Sequence, residues 1–309
     1  MEIRAFHGIR YVGGADGDVS ALIAPPYDVL SAEQKAALLA RDEHNIVAVD
    51  LPHVPPHDAG PDEVYRRAAE RLDAWRAEGV IAREQRPALY VYEQSYAWAG
   101  RAHARRALIA GVRATPLGED VKPHEHTYAG PKADRLKLTR ATRTQLSCIF
   151  GFYHDPTGRA IGALAEATDR PPELRGELAG VEERLWVVDD PAVIAAVAGA
   201  LVDQPVFIAD GHHRYTTALN YRNELAEREG IGPEHEANFV MFALVEAGDP
   251  GLVILPTHRM LSGLADGFTV EALAQGAPEF EWRRAPVDNG ALTDADAFLK
   301  PFGEGAMAL

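Results

Sequence analysis

A mixed α/β fold, an α+β arrangement of helices on a mixed sheet, is predicted by three observations. Residues Ala88–Ala114 read as a hairpin of alternating residues. Strand-like and helix-like segments then alternate through the second half. Two helix starts also carry explicit capping signals, Ser31 with Gln34 and Asp190 with Pro191.

Along the chain, Pro25-Pro26 forces an extended or turned backbone before Tyr27-Asp28. The capping box at Ser31 opens a helix to about Ala40. Val64, Ala68, Leu72 and Trp75 recur at helical spacing and predict a helix over Asp62–Glu78, stopped at Gly79. In the hairpin, Ala88–Tyr96 runs out, Trp98-Ala99-Gly100 turns and Arg105–Ala114 returns. Tyr90, Tyr92 and Tyr96 share one face, which reads as sheet-face packing rather than a cofactor platform. Further on, Leu185–Val188, Pro205–Ala209, Asn238–Val245 and Leu252–Leu255 read as strands. Val193, Val197 and Leu201 line a helix after Pro191, and Tyr215–Glu229 is a second helix ended by Gly230. Leu51–Pro61 and Asp155–Arg175 are the loop stretches. Neither makes a firm boundary, so residues 1–309 read as one compact unit. A division into an N-terminal α/β region 1–155 and a region 156–309 is the alternative.

The charge balance narrows the function. With 31 basic and 46 acidic residues the chain carries a formal charge of −15, which repels nucleic acid and anionic lipid. No basic helix-turn-helix segment offsets it. The single cysteine, Cys148, permits no internal disulfide and points to a reducing, cytoplasmic setting. The N-terminus lacks the apolar stretch of a signal peptide, and the longest apolar run, Ala192–Val202, is too short to span a bilayer.

Two segments carry chemistry. The first is Val206-Phe207-Ile208-Ala209-Asp210-Gly211-His212-His213-Arg214-Tyr215. A buried strand ends, one glycine follows and a helix begins. The free N–H groups and dipole of a helix start favour an anion, Gly211 permits close backbone approach, and Arg214 and the two histidines add donors. A capped helix with packed histidines is the plain alternative, but four polar residues on one junction favour a ligand.

The second is Lys122–Arg143. Five basic residues and one acidic residue stand between Lys132 and Arg143, a local reversal of sign, and Gly130-Pro131 places a helix start near Ala133. Positive charge at a helix start is unfavourable unless an anion joins it, so Lys132 and Arg135 are candidates for a second phosphate or carboxylate clamp. A solvated basic face is the plain alternative. His124 and His126, two apart on an extended segment, would share a side with Glu125 opposite. Adjacent helical residues diverge by about 100°, so His212 and His213 do not grip one ion together, and no metal site is assigned.

These segments, with APPYDVLS (Ala24–Ser31), ALYVYEQ (Ala88–Gln94), CIFGFY (Cys148–Tyr153) and LPTHRM (Leu255–Met260), resemble the bacterial and archaeal domain-of-unknown-function family ten-fifteen over nearly the whole chain. The resemblance implies a longer C-terminal region than the one ending at Gly303–Leu309. Asp210-Gly211-His212-His213-Arg214 is also similar to the phosphate-binding segment of the ParB/sulfiredoxin-like fold, whose members bind ATP, ADP or CTP and include free-serine kinases. That similarity implies a ParB/sulfiredoxin-like nucleotide-binding core behind an N-terminal hairpin region.

The expectation is a nucleotide-binding phosphotransferase acting on a small hydroxylated, serine-like metabolite, using ATP or ADP and Mg²⁺. Gly211, His212, His213 and Arg214 hold phosphates, and Lys132 and Arg135 steady the transferred group or a substrate carboxylate. Glu125 or Asp28 accepts the proton, and Asp210 orients the loop or helps hold Mg²⁺. The alternatives are a metal-dependent phosphatase or hydrolase using His124, His126 and one of His212 or His213, and a non-enzymatic nucleotide-sensing module. A nucleotide and a small molecule are the expected partners, with no nucleic acid or membrane, and a homo-oligomer is left open.

Overall fold

A computed structural model describes residues 1–13, 16–56, 58–127, 129–255, 263–264 and 266–283. The chain forms two compact units, Met1–Leu252 and Val253–Leu309. In chain order the first contains β1 (Ile3–Arg4), β2 (Ile9–Tyr11), α1 (Ala32–Arg41), α2 (Val47–Asp50), α3 (Asp62–Ala77), β3 (Ile81–Arg83), β4 (Leu89–Trp98) and β5 (Arg101–Arg113). There follow β6 (Val121–Lys122), α4 (Ala129–Thr142), β7 (Ile149–Tyr153), α5 (Arg159–Ala163), β8 (Leu174–Leu178), β9 (Val181–Val188), α6 (Pro191–Leu201), β10 (Val206–Asp210), α7 (His212–Glu229) and β11 (Phe239–Glu246). In the second unit, α8 (Val270–Gly276) is capped by Thr269, whose hydroxyl accepts the Ala272 N–H at 3.1 Å.

Nine strands make one mixed sheet in the order β6-β10-β7-β11-β5-β4-β9-β8, with β1 added against β5. The mixed α/β class is therefore correct. The sheet draws strands from both sides of residue 155, since β4 pairs with β9 and β7 with β10. Its centre is the β4–β5 hairpin. Ala99 and Gly100 turn it with φ of 48° and 74°, the paired left-handed geometry that matches the twist of two antiparallel strands. Leu89 and Val91 of β4, with Leu108, Ala110 and Val112 of β5, face the main core, closed by Val197 and Leu201 of α6 and Tyr215 of α7. The tyrosines take the opposite face, where each hydroxyl is anchored. Tyr90 accepts the Gly8 N–H at 2.9 Å, Tyr92 donates to Glu183, and Tyr96 donates to the Gly251 carbonyl at 2.5 Å.

Both capping signals form. Ser31 and Gln34 exchange hydrogen bonds of 3.2 and 2.8 Å, and Asp190 accepts the Ala192 N–H at 2.7 Å before Pro191. Such a cap is worth about 1 kcal/mol. A smaller core packs α3 against α4 through Tyr65, Ala68, Leu72, Trp75 and Leu138.

Three sequence expectations change. Leu252–Leu255 forms no strand. Helix α7 starts at His212, three residues before Tyr215, because Gly211 turns the chain directly out of β10. Helix α4 starts at Ala129 instead of near Ala133; Pro131 falls in its first turn, where a missing N–H costs no helical bond. Among the described residues no helix is long and apolar enough to cross a membrane. Of LPTHRM, only Leu255 lies within the described residues.

Candidate functional site

Strands β6 and β10 pair in parallel, Val206 opposite Val121 and Phe207 opposite Lys122, so both deliver the chain to one end of the sheet. There each leads into a helix, β6 by way of residues 123–127 toward α4 and β10 through Gly211 into α7. The two helices lie side by side. Arg135, Leu138 and Thr139 of α4 share a cavity wall with Arg214, Thr217 and Ala218 of α7, and farther along Arg140 pairs with Glu224 at 2.5 Å.

Gly211 has φ of 100° and ψ of 26°, a conformation that costs a side-chain-bearing residue about 1–2 kcal/mol. A Cβ there would also stand 3.1 Å from the Arg214 guanidinium. The nearest group to this backbone is thus Arg214, folded back over the turn, donating to the Cys148 carbonyl and to Asp210. Among the described residues two of its five N–H groups are used in this way. Gly211, the residue before α7, has no side chain with which to cap it. The N–H groups of a helix's first turn form the positive pole expected of an anion site.

His212, the first residue of α7, is 2% exposed and packs against His124 of the segment after β6. Its Nε2 accepts the His124 N–H at 3.2 Å, and the two rings meet edge to face with centroids 4.5 Å apart. The proton of neutral His212 therefore sits on Nδ1, which lies 3.4 Å from Glu125 Oε2. Burial, with neighbouring His124 adding to it, holds the His212 imidazole below its ordinary value, so it is neutral near pH 7. His124 donates Nδ1–H to the Ile208 carbonyl at 2.8 Å, which leaves its Nε2 as an acceptor. Glu125 thus lies on the same side as His124, against the alternation expected of an extended segment, and His126 is exposed.

His124, Glu125 and His212 offer three donor atoms within 4.8 Å of one another. The tautomer limits what this set can hold. With Nε2 of His212 engaged by a backbone N–H and Nδ1 protonated, only His124 Nε2 and Glu125 present lone pairs. The arrangement suits a carboxylate oriented by a neutral imidazole N–H better than a closed three-ligand metal centre.

The basic segment behaves differently from the expectation of a second clamp. Arg135 is 5% exposed. It donates to Asp134 from Nε and Nη2 at 2.7 and 2.5 Å and from Nη1 to the Asp50 carbonyl at 2.6 Å, and its guanidinium lies 3.9 Å over the Tyr27 ring. Asp134 in turn accepts the Tyr65 hydroxyl at 2.6 Å. The adjacent carboxylate folds onto Arg135, so this cation is a tie inside the structure and not a free clamp. Lys132 makes no hydrogen bond or ion pair among the described residues.

Asp28 is exposed on the single turn Tyr27–Val29, while Tyr27 is buried and pushed up to about 12 by burial, so its phenol stays protonated. Burial likewise pushes the Cys148 thiol up to about 11, which leaves almost no thiolate for nucleophilic chemistry at neutral pH. Tyr27, Arg135 and Arg214 line one cavity. The structure thus gathers Asp210 with Arg214, Glu125 with His212, and Arg135 with Arg214. Lys132, His213 and His126 are in none of these pairs. Sequence reasoning gave no role to Asp50, Asp134, Ser147 and Thr217, although Asp134 stands next to Arg135 in the basic segment and Thr217 three residues after Arg214.

A family model described as a protein of unknown function (DUF1015) matches residues 3–299, and the chain belongs to that family. No curated protein matches it, and no solved structure does.

Proposed function

We propose that the chain binds the phosphates of a nucleotide, ATP or ADP, at the start of α7 and moves a phosphoryl group between it and a small hydroxylated, serine-like metabolite. The observation that carries this reading is the start of α7 at Gly211, which has no side chain to cap it, with Arg214 lying across it and N–H groups to spare among the described residues. On this reading β10, Gly211 and α7 belong to a ParB/sulfiredoxin-like core. The N–H groups of the first turn and Arg214 receive the phosphate oxygens, and the ammonium of Lys132 adds charge at the neighbouring helix start. The acceptor hydroxyl oxygen bonds to phosphorus, the bond to the bridging oxygen breaks, and the hydroxyl proton passes to Glu125. Of the two candidate carboxylates Glu125 is preferred over Asp28 because a buried imidazole holds it. Mg²⁺ would be held by the exposed carboxylate of Asp210 together with substrate phosphates, and would neutralise phosphate charge there.

Calorimetric titration with MgATP and MgADP tests the reading, with saturable binding as the expected result. Glu125→Gln should keep nucleotide affinity within about twofold and lower turnover by about a hundredfold or more. Absence of nucleotide binding to the wild-type chain would remove the proposal. A second reading, a metal-dependent hydrolase, draws on the proximity of His124, Glu125 and His212 within 4.8 Å and would require the His212 ring to release the His124 N–H. Stoichiometric zinc, iron or manganese in the purified protein would favour it.

A further inference from the structure

Between α4 and α7 lies a cavity of about 50 Å³. A single water needs about 10–15 Å³ on this scale, so the space holds a few waters or one small oxyanion group. Its polar lining includes Tyr27, Asp50, Arg135, Ser147, Arg214 and Thr217. Most of the carboxylate and carbonyl acceptors here are already taken. Asp50 accepts from Arg135 at 3.2 Å and from Ser147 at 2.8 Å. Donors are in surplus, because Arg214 retains N–H groups beyond those given to Cys148 and Asp210.

Thr217 supplies a second, independent sign. It is 2% exposed, and its hydroxyl has no hydrogen-bond partner among the described residues. Buried hydroxyls are almost always paired, and one left unpaired beside a polar cavity marks a place where something else completes the bond. Valine would fill the same volume without the hydroxyl.

We infer that this cavity seats the carboxylate of the second substrate, between Arg214 and the Thr217 hydroxyl, and that the acceptor is a short hydroxycarboxylate. The inference rests on the phosphoryl-transfer reading for calling this molecule the acceptor. The site itself rests on the cavity, the donor surplus and Thr217. Its volume admits the carboxylate end of a short chain and excludes a bulky one. A free tetrahedral anion shares the oxyanion chemistry, so phosphate is a separate arm of the test.

The full chain is titrated calorimetrically with glycolate, L-serine, inorganic phosphate and, as a neutral control, ethylene glycol. The same is done for Thr217→Val and Thr217→Ser, with a melting curve and an ATP titration for each. The expected result is binding of glycolate or L-serine to the wild type and none of ethylene glycol. Thr217→Val should melt no lower than wild type and bind the carboxylate about fivefold more weakly or worse, the loss of one hydrogen bond. Thr217→Ser should stay within about twofold of wild type because it keeps the hydroxyl. Carboxylate affinity unchanged in Thr217→Val, binding of phosphate alone, or no binding in any arm would overturn the inference. Carboxylate binding without any ATP binding would sink the phosphoryl-transfer reading and leave the carboxylate site standing.

Discussion

Helices α4 and α7 lie side by side, and both bring basic residues to the same end of the sheet, yet their cations have different partners. In α4, Arg135 is held between Asp134 and Asp50, Lys137 reaches Asp62 at 2.7 Å, and Arg140 reaches Glu224. In α7, Arg214 bridges a backbone carbonyl and an exposed carboxylate and keeps donors in reserve. A buried cation encircled by acceptors holds a structure together, and a cation with spare donors beside an uncapped helix start is positioned to receive a ligand. Counting charges cannot separate the two cases; counting unused donors does.

The largest expected break in this comparison comes from Asp134, which is fully buried. Asp134→Ala leaves Arg135 without its main counter-charge and frees the Tyr65 hydroxyl. It should cost about 3–5 kcal/mol, read as a lowered urea midpoint at unchanged slope. A cost under about 1 kcal/mol would mean that Arg135 is not a structural tie.

Next in size is Gly211→Ala, expected to cost about 1–2 kcal/mol because alanine disfavours a φ of 100°, with a further loss from crowding Arg214. A melting curve checks it, and an unchanged midpoint would show that the turn relaxes at no cost.

A smaller effect distinguishes His212. Its folded value lies below the ordinary 6.5, so the unfolded chain takes up the proton first as pH falls. The contribution of His212 to stability is therefore full above pH 6.5 and declines as pH drops from there toward the folded value. Melting curves from pH 8 to 5 should show this slope in the wild type, and His212→Gln should flatten it. An equally steep slope in the variant would assign it to other groups.

The smallest change is expected from Arg140→Ala. Its side chain is 49% exposed and its partner Glu224 is 30% exposed, so water screens the pair. A loss of under about 1 kcal/mol is expected, and a loss as large as that of Asp134→Ala would erase the distinction between surface and buried cations.

Local chemistry made several features legible in the sequence. The capping box at Ser31, the Asp190-Pro191 helix start and the Ala99-Gly100 turn each depend on residues within a few positions, and each forms. The strand–glycine–helix junction was legible for the same reason. The fate of the α4 cations was not. Arg135 meets Asp50 across 85 positions and His124 meets His212 across 88, and no local pattern encodes either pairing. Thr217 was missed because a threonine inside a helix looks ordinary until its hydroxyl is found buried without a partner.

The start of α7, and not the carboxylate-paired arginines of the helix beside it, is proposed to receive phosphate. The most direct measurement is calorimetric titration of MgATP into three proteins, the wild type, Arg214→Ala and Arg140→Ala. A charged hydrogen bond is worth about 1.5–3 kcal/mol, so affinity should fall at least about tenfold in Arg214→Ala and stay within about twofold in Arg140→Ala. Wild-type affinity in Arg214→Ala, with the loss appearing in Arg140→Ala, would contradict the proposal.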